Sequence, residues 1–596
     1  MHERASPGSK VKLGYHGLIL GPLAKDVDVP SFQRFDTDAT LPLSERDLKR
    51  RWSVFHRAIH DMSGKKWQRV LGQMLGQNTV RYKVARFLGR PPLQLVRMMK
   101  GEGRKKEAAE VVISVPTAFP HNFKMQSVPP IESLLGADTH PQSVLIFLVN
   151  ESGDDAQTVI RAINKDVEST NETWLLLMDS SINDADQNQT ATALLAHASE
   201  DDDVVFADEY GPEPFAPIFK SPGVGPHTLL SYNTVGRPAL LRVSTLRECG
   251  GFSLDAGWAF EHDLYLQLNE RQARFRHVAI LVATGRPAIS FLESHISADS
   301  CRVVEAALQR RGLEASVTPG ALPGSVSWRV AVASPAPSID IIIPTRDRVD
   351  LLRQCIDAVV SKSTYPNYDI IILDNDSKDP VTLNYFDVTR FRVIPCPGPF
   401  NYAKIVNRGV SHSQADFVVT LNNDTILETP DWLERMVSLA ALDDVGFVGA
   451  CLLDQDGRTE HESIVIAPYP QHLRTDTNYP HVDQFVSATR DVAAVTGAVQ
   501  MVRRETWDLL GGMDEELKVT MNDIDICLRS QMEGLYVVYT PDVRIYHHVS
   551  SSRGKLDPLE DRNRFIQRWD IFGTFRDPYF PASLQLLGET VYYLPR

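Results

Sequence analysis

Ile341-Ile342-Ile343-Pro344-Thr345-Arg346-Asp347, Ile370-Ile371-Ile372-Leu373-Asp374-Asn375 and Val418-Val419-Thr420-Leu421-Asn422-Asn423-Asp424 decide the fold. Each is a short apolar run that stops abruptly in polar and acidic residues. Parallel strands covered on both faces read as unbroken Ile/Val/Leu runs, and open α/β sheets bind ligands just beyond the carboxyl ends of such strands. The pattern predicts an α/β domain over 339–596 whose acids converge on one edge. Two more stations follow in order, Asn522-Asp523-Ile524-Asp525 and His547-His548. Any one acid alone could be an ordinary turn residue; five stations in series point to a site.

Outward from this stretch, 596 residues are enough for three to four domains, because chains divide once single cores stop growing. Upstream, Val144–Val149 reads as a strand, and Trp174–Met178 as another that ends at Asp179. They predict a smaller α/β domain over 143–290. Residues 291–338, with a helix-like stretch at Ser300–Arg311 and a Pro/Ser segment at 334–338, read as a linker with a helix. Residues 1–44 are an irregular lead-in, and 45–142 a basic helical region and connector. An internal echo joins the two α/β parts: Gly250-Gly251-Phe252 precedes Glu261-His262-Asp263, and Gly511-Gly512-Met513 precedes Asp523-Ile524-Asp525 at nearly the same spacing.

Charge is unevenly spread. The chain carries −14 overall, yet Glu45 to Lys106 hold 17 Lys/Arg against 4 Asp/Glu, so the rest carries −27. Trp52, Phe55, Ile59, Trp67, Val70, Leu71 and Leu75 recur there at helical intervals. Such a basic amphipathic region is either a solvated face balancing an acidic body or a surface for an anionic membrane, where each nearby Lys or Arg adds about 1 kcal/mol. With no nucleic-acid motif in the chain, nucleic acid is not expected as a partner. No apolar run approaches the ~20 residues that span a bilayer, and no secretory signal is visible. The six cysteines form no CxxC pair, which argues against a zinc cluster or disulfide framework. A cytoplasmic protein is expected, peripheral on the inner face of the cytoplasmic membrane if the basic region engages lipid.

The five stations supply what group transfer from a nucleotide diphosphate needs. Asp374 at a strand end, with Asn375, can accept hydrogen bonds from ribose hydroxyls or a base edge, and Pro344, Thr345 and Arg346 shape the opposite wall. Asp424 can hold Mg²⁺ or Mn²⁺, since hard cations take oxygen ligands and Mg²⁺ is usually bound by one or two carboxylates plus substrate phosphates. Asn422 and Asn423 beside it are expected to contact the nucleotide sugar, and His547 or His548 could complete the coordination of the cation. Asp523 and Asp525 point to different faces of a helix, so only one can serve as general base within reach of an acceptor hydroxyl. Asp523, nearer the loop, is favoured; the other caps or braces.

The runs IIIPTRDR (341–348), YPNYDIIILDNDS (365–377), PFNYAKIVNRG (399–409), LNNDTI (421–426), PDWLERMV (430–437), TGAVQMVRR (496–504), GGMDEEL (511–517), NDIDICLR (522–529) and YHHVSSSRG (546–554) together resemble a family-2 glycosyltransferase of GT-A fold. The resemblance is greatest to bacterial rhamnosyltransferase-like enzymes that build surface polysaccharides, and runs from about Asp340 to Tyr579. It implies an inverting, metal-dependent transfer from a nucleoside-diphosphate sugar, UDP- or dTDP-linked, to a glycan acceptor, lipid-linked in such systems. By motif, Asp374 matches the nucleoside-binding aspartate, Asp424 the last metal-binding acid of the DxD-type motif, and Asp523 the base. The departures are Asn422 for the first DxD acid and Asn522 for the usual Glu. Arg568-Trp569 matches the end of the processive QxxRW motif, but Phe565 stands where its Gln would, so processivity is not implied.

The 143–290 part resembles the same family more weakly, through Phe206-Ala207-Asp208-Glu209, Gly250-Gly251-Phe252 and Glu261-His262-Asp263. Only 35 residues separate Val144 from Asp179, too few for the two strand-helix units that the second part has room for. A degenerate GT-A-like domain, serving as scaffold or acceptor-binding module, is expected there. Two rival readings are a silent nucleotide-sugar or glycan-binding protein and a nucleotidyltransferase. The first would need the Asp374, Asp424 and Asp523 set to be idle, and the second leaves 522–525 and the histidine pair without a purpose.

Overall fold

The computed structural model describes residues 144–149, 155–210, 218–283, 294–321, 324–474, 488–548, 558–581, 583–587 and 590–593. The lead-in and the whole basic region and connector, 1–142, lie outside them. The first α/β unit contains β1 (Val144–Val149), α1 (Ala156–Ser169), β2 (Trp174–Asp179), α2 (Asp184–Leu195), β3 (Val204–Tyr210), α3 (Pro226–Ser231), β4 (Ala239–Arg242), α4 (Val243–Glu248), α5 (Phe260–Glu270) and β5 (Phe275–Ala283). Its five strands lie in the order β1-β2-β4-β3-β5, with β4 antiparallel to both neighbours. Helix α6 (Ser294–Arg310) and a hairpin, β6 (Ala315–Pro319) and β7 (Val326–Val330), connect it onward. The linker reading did not include this hairpin, although Val326-Ser327-Trp328-Arg329-Val330 alternates apolar and polar residues with Val326 and Trp328 buried.

The second unit is larger. It runs through β8 (Ile339–Thr345), α7 (Val349–Lys362), β9 (Tyr368–Asp374), α8 (Pro380–Val388), β10 (Arg392–Pro395), α9 (Tyr402–Ser411), β11 (Phe417–Leu421), β12 (Thr425–Leu427), α10 (Trp432–Ala440), β13 (Val445–Leu453) and β14 (Thr459–His461). After them come β15 (Ser463–Ile466), β16 (Pro470–Leu473), β17 (Arg490–Asp491), β18 (Val499–Arg503), α11 (Arg504–Leu509), α12 (Asn522–Met532), β19 (Tyr536–His547) and α13 (Leu559–Trp569). The main sheet is ordered β10-β9-β8-β11-β18-β13-β19-β12. Ile341, Ile342 and Ile343 are fully buried, each contributing roughly 1.5–3 kcal/mol by leaving water, which is why an unbroken apolar run is stable here. Since β8, β9, β10 and β11 run parallel, their carboxyl ends share one edge. The strands β14 and β17, three and two residues long, were not distinguishable in the sequence because they take their order from tertiary pairing, and in β18, as long as β11, Gln500 interrupts the apolar run.

The two sheets repeat one plan. Strands β1, β2, β4, β3 and β5 correspond in order and direction to β8, β11, β18, β13 and β19. Local detail repeats too. Asn164 on α1 accepts from Phe252 N–H at 2.8 Å and donates to Phe252 C=O at 2.9 Å; Asn407 on α9 does the same with Met513, both at 2.9 Å. In each copy a left-handed glycine lies against that Asn: a Cβ on Gly251 or Gly512 would come within 2.5 Å of its Oδ1. The repeat is incomplete, because β9 and β10 have no counterpart in the first sheet.

The units are docked through polar contacts as well as a shared apolar core that runs from Phe206 through Trp328 to Trp432 and Val538. Asp491, fully buried on β17, accepts from the backbone N–H groups of His227 (3.0 Å) and Thr228 (2.9 Å) at the start of α3. It also meets His227 Nδ1 at 2.7 Å and the Thr228 hydroxyl at 3.0 Å. Gly225 leaves the room for this, since a Cβ there would fall 2.0 Å from the Asp491 carboxylate. A carboxylate from one unit thus does for the other's helix what an N-cap side chain normally does.

Candidate active site

The carboxyl ends of β9, β8 and β11 lie side by side and carry the first three stations. Asp374 faces Thr345 in register across β9 and β8. Its Oδ1 accepts from Ser377 N–H at 2.9 Å, which shapes the turn beyond the strand. Thr345 is buried and its Oγ1 accepts from Asn423 Nδ2 at 2.9 Å, so the β8 and β11 ends are tied by side chains. Pro344 is partly buried, whereas Arg346 is half-exposed at 52%, with its Nε 4.0 Å from Asp347 Oδ2. Asn375 turns inward at 2% exposure; its Nδ2 donates to Cys396 C=O at 3.1 Å while its Oδ1 is buried without a hydrogen bond. The next loop is pinned by Asp347, in the left-handed region at φ 52°, whose Oδ1 accepts from Asp379 N–H at 2.7 Å.

Asp523 and Asp525 occupy the first turn of α12 and have different surroundings. Asp523 is partly exposed; its Oδ2 accepts from Gly497 N–H at 2.8 Å and its Oδ1 from Ile524 N–H at 2.9 Å. Asp525 is fully enclosed by Arg529 Nε (2.8 Å), Arg568 Nη1 (2.7 Å) and Trp569 Nε1 (3.0 Å). The Arg568-Trp569 pair therefore braces α12 rather than lining a channel. Met521, just before α12, holds φ 66°, a conformation that costs a non-glycine residue of order 1 kcal/mol or more and that collects at functional sites. Asn522 is buried, with Nδ2 donating to Leu517 C=O at 2.9 Å.

The Gly497 loop joins the α12 station to the strand ends. Its carbonyl accepts from Tyr402 Oη at 2.9 Å and Thr420 Oγ1 at 3.0 Å, and the next residue's carbonyl accepts from Asn422 N–H at 2.9 Å. A Cβ at 497 would lie 3.2 Å from Asp523 Cβ, so a side chain there would have to displace Asp523 by a few tenths of an ångström.

Asp424 and the histidine pair meet because β12 pairs with the end of β19, with Thr425 opposite His547. Asp424 is 6% exposed, and its Oδ1 lies 3.4 Å from His547 Nε2. His548 meets the same residue through its backbone, donating its N–H to Asp424 C=O at 2.9 Å. Asn422 Nδ2 is 3.5 Å from His547 Nε2. On the other edge of the imidazole, Nδ1 lies 3.2 Å from Glu460 Oε2. Burial would lower the His547 pKa, but hydrogen bonds to Asp424 and Glu460, with their charges, outweigh it and hold it up at about 9. Among the described residues no group of three or more His, Cys, Asp or Glu is set to hold a metal ion alone. Asp424 Oδ1 and His547 Nε2 nonetheless stand at a spacing two ligands of one ion can share, an oxygen and an imidazole nitrogen that suit Mn²⁺ or Mg²⁺ once phosphate oxygens complete the set.

Sequence reading did not single out Glu460, Gly497 or Tyr402. Glu460 follows a Gly-bearing turn and Gly497 lies in the quoted TGAVQMVRR run; neither has a local signal that separates it from ordinary turn chemistry. Arg348, paired with Asp350 at 2.9 Å and near enough to Asp424 for that charge to raise its pKa further, was likewise unmarked.

In the first copy the acids of α5 and of the β3 end are paired within that unit, while Asp179, at the β2 end that matches β11, accepts from Ser181 N–H at 2.9 Å. Glu261, in the first turn of α5 as Asp523 is in α12, pairs with Arg237 at 2.6 Å. Asp263 lies 2.9 Å from Gln267 and 3.6 Å from Arg310. Glu209 pairs with Lys220, and Asp208 lies 2.8 Å from His277.

Comparison with known proteins agrees with this geometry over part of the chain. Residues 340–509 match the model described as Glycosyl transferase family 2; the match covers β8 to α11 and stops before Asp523. The chain is 32% identical over 386 residues to the uncharacterized protein y4gI of Sinorhizobium fredii, covering 60% of this chain and 42% of that protein. It is 30% identical over 395 residues to the O-antigen biosynthesis protein RfbC of Myxococcus xanthus, covering 62% and 30%. The O-antigen chain rhamnosyltransferase WbaN of Salmonella anatum is 24% identical over 277 residues, covering 44% of this chain and 84% of its own length. The chain thus spans less than half the length of the first two relatives. A solved mannosyltransferase from Pyrobaculum calidifontis aligns with 19% identity over 36% of this chain and 58% of its own, at a TM-score of 0.28, too partial a likeness to bear on function.

Proposed function

We propose, from the family-2 glycosyltransferase domain of GT-A fold that this chain carries, that it moves one sugar from a UDP- or dTDP-linked donor to a hydroxyl of a growing cell-surface glycan, with inversion. The observation that carries this reading is Asp523: a partly exposed carboxylate, oriented by Gly497 N–H at 2.8 Å, in a loop that also touches the Asn422–Asp424 strand end. Its exposure suits a general base that has to come within hydrogen-bond reach of an acceptor hydroxyl, whereas Asp525 is fully occupied.

Asp374 and Arg346 bind the nucleoside and orient the donor. Asp523 takes the proton from the acceptor hydroxyl as that oxygen bonds to the anomeric carbon and the bond to the diphosphate breaks. Asp424 and His547 would hold Mg²⁺ or Mn²⁺, which when bound neutralises charge on the leaving diphosphate. Relatives that include named rhamnosyltransferases make rhamnose the first sugar to test. The first copy, with no β9 or β10 and with the acids of α5 and of the β3 end paired, reads as a silent scaffold. Among the described residues no helix is long and apolar enough to cross a membrane; the charge of the basic region at 45–106 makes it the segment to test for attachment at the inner face.

The test is nucleoside-diphosphate release from a panel of UDP-, dTDP- and GDP-sugars, with Mg²⁺, Mn²⁺ or EDTA and candidate glycan acceptors. Acceptor-stimulated, metal-dependent release from one donor, absent in Asp523→Asn, supports the reading. Donor binding with no release from any pair would instead support a silent binding protein.

A further inference from the structure

The Asp424–His547 pair has a third member that none of its sequence signals marked. Glu460 sits on β14, which a tight turn returns beside β13: Asp454 Oδ1 accepts from Asp456 and Arg458 N–H groups at 2.9 Å each, and Gly457 takes φ +77°. Strand β13 then has β14 on one side and β19 on the other, with Leu453 opposite both Thr459 and Tyr546. That shared neighbour brings Glu460 and His547, from strands nearly ninety residues apart in sequence, to the same sheet end.

The two carboxylates address opposite edges of the ring. Asp424 Oδ1 is 3.4 Å from Nε2 and Glu460 Oε2 is 3.2 Å from Nδ1. The two nitrogens of an imidazole point away from one another, so a cation shared by Nε2 and Asp424 is out of reach of a Glu460 that stays on Nδ1. A carboxylate accepting Nδ1–H fixes the tautomer that leaves Nε2 with its lone pair, fixes the ring plane, and makes the nitrogen more basic. Glu460 and His547 side chains are each 14% exposed, shielded enough for the contact to be worth more than a surface pair.

We propose that Glu460 is a positioning residue for divalent-cation binding: it holds the His547 imidazole by Nδ1–H so that Nε2 and Asp424 face one Mg²⁺ or Mn²⁺. This rests on the metal-dependent transferase reading above. Loss of such an outer partner typically lowers metal affinity about 10–100-fold.

The experiment measures Mn²⁺ binding to the full chain by electron paramagnetic resonance and calorimetry, with no sugar present and again with nucleoside diphosphate. Glu460→Ala should weaken Mn²⁺ binding about 10–100-fold, and Glu460→Gln, whose amide oxygen can still accept Nδ1–H, should recover most of it. In a His547→Ala background Glu460→Ala should have no further effect, because its action passes through that ring. Circular dichroism of each variant establishes that it is folded, and Glu460→Gln carries the comparison if Glu460→Ala is not. Unchanged affinity in Glu460→Ala overturns the proposal. So does an equal loss in Gln and Ala, or a further loss without His547, since either would make Glu460 a direct ligand. If Asp424→Ala and His547→Ala also bind Mn²⁺ normally, it is the metal site itself that fails.

Discussion

The buried His227–Asp491 contact should make the docking of the two units pH-dependent. His227 is 1% exposed, with Nδ1 2.7 Å from Asp491 Oδ1 and Nε2 3.4 Å from Asp444 Oδ1. Burial alone would lower its pKa; the Asp491 charge and the hydrogen bonds to Asp444 and Asp491 outweigh it and raise it from 6.5 to about 9. Asp444 is about half-exposed, so Asp491 supplies most of the effect. A shift of that size corresponds to roughly 3 kcal/mol. Because the folded pKa lies above the unfolded one, the stabilisation is complete below about pH 6.5 and fades as pH rises through about 9. The assay is the thermal midpoint of the wild type and His227→Gln from pH 6 to 9.5. The wild type should lead by several degrees at pH 6, and the gap should close by pH 9.5. A gap that stays constant across the range would refute a charged His227. Asp491→Asn should lose most at low pH, on the order of 3–5 kcal/mol, as expected when one member of a buried pair is removed.

Asp523→Asn should retain donor binding, measured by calorimetry, while turnover falls by about 10²–10⁴, the usual worth of a general base; unchanged turnover would move that role elsewhere. Asp525→Asn should act on stability instead, lowering the thermal midpoint because Arg529, Arg568 and Trp569 lose their shared acceptor. Gly251→Ala and Gly512→Ala should each destabilise by about 1–3 kcal/mol, since both combine a left-handed φ with an Asn oxygen 2.5 Å from the new Cβ; denaturant titration reads this, and an effect in one copy only would weaken the case for equivalence. Removing residues 45–106 should weaken binding to anionic vesicles in a sedimentation assay, and undiminished binding would leave that region a structural role.

How much of this was legible in the sequence followed from what local patterns encode. The strands β8, β9 and β11 announce themselves because burial on both faces leaves no polar position inside them. The ends of such strands must then carry the chemistry, so Asp374 and Asp424 could be named from sequence. Helix geometry alone poses the choice between Asp523 and Asp525, and the partners that set their surroundings apart are not local, since Arg568 and Trp569 lie more than forty residues away. Glu460 and Gly497 were not legible: one reaches the site through a strand two places across the sheet, the other through a backbone N–H, and neither leaves a mark on residue type. The missing β9 and β10 counterparts were visible as a shortage of chain between Val144 and Asp179, because a strand-helix unit has a minimum length.

The repeated Asn164–Phe252 and Asn407–Met513 clamps have a consequence for how the chain is made. Two halves that present the same grip to the same kind of loop could, if both were unfolded together, trade partners and assemble with a helix of one seated on the loop of the other. Synthesis separates them in time. About 55 residues lie between the end of β5 and the start of β8, which at 5–20 residues per second amounts to roughly 3–11 s. The earlier clamp closes while its later twin has yet to leave the ribosome, and Asp491 reaches an α3 that is already formed.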